Sequence, residues 1–64
     1  MSHAIRLDPT PAATAAAIST LQAERSTLIV YMRKRMDRED WHGVMDASAD
    51  IREIEAKLAV LVRR

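Results

Sequence analysis

Four bases fall within six residues, Arg33, Lys34, Arg35 and Arg38, with Tyr31 just ahead of them and Trp41 just behind. Such a cluster can neutralise phosphates while an aromatic ring stacks on a base, which is the combination RNA or a small phosphate-bearing nucleotide requires. The same residues have a simpler explanation. They close a helix whose C-terminal end favours cations, and Asp37, Glu39, Asp40 and Asp46 stand near enough in sequence to neutralise them.

His42, Asp46 and Asp50 recur every four residues and imitate a metal site along one helix face. No second His, Cys or carboxylate cluster completes the set, so Asp46, Asp50 and Glu53, followed by Lys57, read as a solvated acidic face and no metal or cofactor is implied. Catalysis is disfavoured on the same ground. The chain has no glycine-rich phosphate loop, no nucleophile elbow and no Cys, and with His3 in the N-terminal arm only His42 is left as an acid or base. We therefore expect no enzyme.

The elements that would carry these residues are helical. Ala is abundant, Phe is absent and the chain has one Gly and two Pro, a composition that favours helix over strand. Residues 1–9 read as a flexible arm ending in the punctuation Asp8-Pro9-Thr10-Pro11, where Thr10 suits an N-cap and Pro11 the first helical position. Helix 1 is expected over about 11–38 and helix 2 over about 41–63, with Asp40 as the second N-cap and Arg38-Glu39 making the reversal. A single uninterrupted helix is the rival arrangement, because no Gly or Pro breaks the chain at the reversal.

Ile18, Leu21, Leu28, Ile29, Met32 and Met36 form a stripe on helix 1 with Arg25 at its centre. On helix 2, Val44, Ile51 and Leu58 repeat every seven residues with Ala47, Ile54 and Leu61 between them, flanked by Ser48, Glu55 and Val62. Folding near residue 39 brings Leu28 beside Ile51, Leu21 beside Leu58 and Ile18 beside Leu61. Arg25 then faces the region of Glu53 to Glu55, with Glu55 beside the seam, where a buried pair of Arg25 with a Glu, across the hairpin or between copies, would fix register at little net gain in stability. Alternatively its stem packs while the guanidinium reaches solvent. Trp41 reads either as an interface anchor or, preferably, as a cap over Met36 and Met45.

A chain of 64 residues buries only about 60% of its unfolded surface, and without Cys no disulfide can compensate. Two helices alone cannot cover stripes widened by Ile29, Met36 and Val62. The expected fold class is therefore all-α, an antiparallel two-helix hairpin assembling into a four-helix bundle dimer or a higher helical oligomer. Its interface would use Ile18, Leu21, Arg25, Leu28, Ile29, Met32, Met36, Val44, Ile51, Ile54, Glu55, Leu58, Leu61 and Val62. A formal net charge of +1 gives no global reason for nucleic-acid or membrane binding, although residues 1–38 hold six bases against three acids and residues 39–64 four against six. Apolar runs are too short for a membrane span, and Met1–Leu7 lacks the apolar stretch of a signal peptide, so a cytoplasmic location is expected.

The stretch Asp40-Trp41-His42-Gly43-Val44-Met45-Asp46-Ala47 through Asp50-Ile51-Arg52-Glu53-Ile54-Glu55 resembles small helical proteins encoded by tailed phages and prophages. The resemblance implies an accessory role, antagonism of a host system by sequestering or blocking a host protein, in the host cytoplasm. In architecture the chain also looks like the Rop-type RNA-binding hairpin dimers. Binding of RNA or a nucleotide through the basic tip is the alternative function.

Overall fold

The computed structural model describes residues 10–63; the arm over 1–9 and the closing Arg64 lie outside the described residues. Two helices, α1 (Pro11–Asp37) and α2 (Trp41–Val62), pack against each other as a hairpin, and no strand occurs among the described residues. Local chemistry sets each boundary. Thr10 Oγ1 accepts the Ala13 amide at 3.0 Å, and Pro11 follows at a position where its missing N–H is no loss.

The reversal is a Schellman motif. The Asp40 amide donates to the Arg35 carbonyl and the Glu39 amide to the Met36 carbonyl, both at 2.9 Å, so the last carbonyls of α1 are satisfied without further helix. The motif needs a left-handed residue, and Glu39 takes that role at φ 56°. Asp40 then caps α2 by accepting the Gly43 amide at 3.0 Å. Its amide thus ends one helix and its carboxylate begins the next, which leaves no room for the single continuous helix.

The packed seam repeats in threes and fours on both helices. On α1 it runs through Thr14, Ile18, Leu21, Arg25, Leu28, Met32 and Arg35, all partly buried. Its counterpart on α2 is Val44, Ala47, Ile51, Ile54, Leu58 and Leu61, with Gly43 close against Arg35. Among the described residues only Gly43, Ala47, Ile51 and Ile54 are buried, all on α2, and no residue of α1 is. A seam between two helices has solvent along both flanks, so most of its side chains keep one side wet.

An L-residue in the left-handed region costs roughly 1–2 kcal/mol that glycine avoids. Glu39→Gly is therefore expected to stabilise the hairpin by about 1 kcal/mol in urea or thermal denaturation, with unchanged helix content.

Candidate interaction site

Two arginines occupy seam positions on α1, and each meets an acid on or at the start of α2. Arg25 donates from both Nε and Nη2 to Glu55 Oε2, at 3.1 and 2.9 Å. The expected pair thus spans the hairpin, but it is not buried, since the side chains stay 40% and 49% exposed. Arg25 lays its stem in the seam and turns its head to the flank, where Glu55 waits one position outside the α2 stripe. Exposed pairs of this kind contribute little stability. What the contact fixes is register, within one residue of the pairing of Leu28 with Ile51.

Arg35 makes the second link. Its Nη1 lies 3.3 Å from Asp40 Oδ2, its guanidinium carbon sits 4.9 Å from the centroid of the Tyr31 ring, and its Nε is buried without a hydrogen-bond partner. The stem crosses Gly43: a Cβ added there would stand 2.9 Å from Arg35 Cδ and 2.7 Å from Asp40 Oδ2. The α2 helix tolerates glycine here because the close approach of Arg35 uses the space a methyl group would fill.

This changes the reading of the basic cluster. Arg35, expected among phosphate ligands, is held by Asp40 and Tyr31, and Tyr31 has one ring face covered by Arg35. Arg33, Lys34 and Arg38 are exposed, on a helix end rather than around a cleft. Trp41 was expected to cover Met36 and Met45. It does not close the hairpin end, since Trp41 is 58%, Met36 46% and Met45 69% exposed. The reason is position: as the first residue of α2, Trp41 projects from the rim of the turn rather than across the seam.

The expected interface residues divide in two. Ile18, Leu21, Leu28, Met32, Val44, Ile51, Ile54, Leu58 and Leu61 are buried or partly buried in the hairpin seam itself, whereas Met36 and Val62 stay open to solvent and Ile29 is half-buried beside them. Sequence reasoning missed Arg35 as a seam residue, although a heptad step from Leu21 and Leu28 lands on it. Val30 and Val60 were also missed; both are exposed.

The flanks of the seam differ. One carries a shallow groove lined by Thr20, Ala23, Glu24, Thr27, Asp50, Glu53 and Lys57, with Leu28 and Ile54 at its base. The other holds Gln22, Arg25, Ser26, Glu55 and Leu58 around the ion pair. His42 Nε2 lies 3.8 Å from Asp46 Oδ2 with both side chains largely exposed, and no group of three potential metal ligands forms among the described residues. No described helix is long and apolar enough to cross a membrane. Comparison with protein-family models, curated proteins and solved structures found no match.

The Asp40 carboxyl is held below the usual aspartate range, first by the Gly43 amide and then by the hydrogen bond and charge of Arg35, against an opposing effect of desolvation. A folded-state value below the unfolded one means that the ionised form favours folding: the stabilisation is present above the ordinary aspartate value near 3.9 and is lost as pH falls through the lowered value. Stability should accordingly fall on acidification below about pH 4, with a shallower slope for Asp40→Asn, which keeps a capping oxygen without the charge. Gly43→Ala should lower the melting temperature even though alanine is favoured over glycine by up to about 1 kcal/mol inside a helix, because the methyl displaces both the Asp40 carboxylate and the Arg35 stem.

Proposed function

We propose that this chain is a non-enzymatic binding protein that works as an oligomer of helical hairpins, an accessory protein of the phage and prophage kind that sequesters or blocks a host component. The observation that carries the self-associating part is the mismatch between core and surface. Three apolar side chains are buried, Ala47, Ile51 and Ile54, whereas large ones stay exposed, among them Met36, Met45 and Val62, which share one flank of the hairpin. A core of that size falls short of what a domain this small needs, and a second hairpin laid over the first would supply the missing burial.

The binding part rests on chemistry. Among the described residues the exposed ionisable groups stand along helix faces, with no convergent set of acid, base and nucleophile around an enclosed cavity. Recognition by an exposed helix face is the use this arrangement supports. The phage-type role rests on the resemblance of residues 40–55 to such proteins.

Folding and association are then linked, and stability depends on concentration. A hundredfold dilution from about 100 μM should lower the midpoint of helix melting measurably by circular dichroism, and sedimentation should show a dimer or larger species at the upper concentration. A monomer with full helicity and a concentration-independent midpoint would overturn the proposal.

A further inference from the structure

An antiparallel pair places corresponding outer positions of its two helices on the same side, and here that sorts the uncovered residues sharply. On α1 the positions just beyond the seam on one side are Gln22, Ile29 and Met36; their counterparts on α2 are Ser48, Glu55 and Val62. The contact of Arg25 with Glu55 and the shallow depression around Gln22, Arg25, Ser26, Glu55 and Leu58 mark this as one continuous flank. Met45 extends it near the turn. The opposite flank is acidic and polar, with Glu24, Thr27, Asp50, Glu53 and Lys57.

Given that the chain self-associates, we propose that a second copy docks on the Ile29–Met36–Val62 flank with both turns at the same end, so that Arg25 of each copy lies over Glu55 of the other. Charge complementarity selects this orientation. A twofold axis parallel to the helices sets α1 of one copy over α2 of the other, and because Arg25 and Glu55 are level within a hairpin, the four groups form a ring of alternating sign. Turning the second copy end for end about an axis at that level would stack Arg25 on Arg25 and Glu55 on Glu55, an arrangement that costs rather than contributes. The same-end arrangement also brings Met36 of one copy level with Met45 of the other, closing apolar surface at the turn end.

The size fits. The 22 residues of α2 span about 33 Å, and two helices side by side are about 20 Å wide, giving a flat footprint on the order of 650 Å² before surface relief is counted. That approaches the roughly 800 Å² per partner of an ordinary stable interface.

The test uses charge reversal in mixed copies. Arg25→Glu and Glu55→Arg, each alone, make the ring all of one sign and should weaken the oligomer by about tenfold or more in sedimentation. Mixed one to one, they should associate with each other at close to wild-type strength, since every contact between copies then pairs opposite charges while each hairpin keeps its like-charged pair. Restoration on mixing cannot come from a contact that works only within one chain. Val60→Glu, away from this flank, should leave the oligomer unchanged.

Orientation is read by cysteines, of which the chain has none of its own. Met36→Cys copies mixed with Met45→Cys copies should form a mixed disulfide under mild oxidation. If the wild-type chain is a monomer, self-association itself fails and this inference with it. If the wild type associates but mixing does not restore the variants, or the mixed disulfide does not form, self-association stands and the assigned docking is overturned.

Discussion

The structure depends on a seam only one side chain wide. In a larger domain an apolar residue is surrounded, and register is fixed by many interlocking contacts. Here each seam residue has neighbours on one helix and water along both flanks, so sliding by a turn would exchange one aliphatic contact for another of similar size. Arg25 and Arg35 remove that freedom. Each stands where an aliphatic residue would fit, and each has an acceptor only in the observed register: Glu55 for Arg25, Asp40 for Arg35. Their contribution is positional, which is what partly exposed ion pairs supply best.

The two links differ in what they couple. Arg25 and Glu55 are thirty residues apart and hold the middle of the hairpin. Arg35, Asp40, Gly43 and Tyr31 lie within thirteen positions of one another and hold the turn. Asp40 is common to several contacts there: its amide terminates α1, its carboxylate caps α2 and also meets Arg35, whose stem needs the bare backbone of Gly43. Such a unit is local in sequence and can form early, before the seam is complete, because its loop-closure cost is small.

Helix type, the place of the reversal and its cap were all legible because each rests on local chemistry: the three-and-four spacing of apolar residues, Thr10 with Pro11, and Asp40 ahead of Gly43. The hairpin register was legible because both stripes count in sevens. Arg35 was not, since a basic residue in a run of four bases reads as solvated unless the heptad is carried through it, and its acceptor lies across the turn. The exposure of Trp41 was also hidden. Its composition suggests a lid, while its place at the first position of α2 turns it outward, and only three-dimensional geometry decides between the two.

The two flanks of the hairpin differ in what each offers to another surface. One flank combines aliphatic residues with the Arg25–Glu55 pair and, a heptad on from Ser26 and Met45, with Arg33 and Arg52. The other is rich in carboxylates, Glu24, Asp50 and Glu53 with Lys57 among them, and two such flanks would repel. An assembly formed through the first would therefore leave the acidic flanks outward, along with Lys34 and Arg38 at the turn. Under the proposed docking, a partner other than the chain itself would meet a charged surface whose affinity falls with salt. Under that docking the seam would divide the surface between copies from the surface left for anything else.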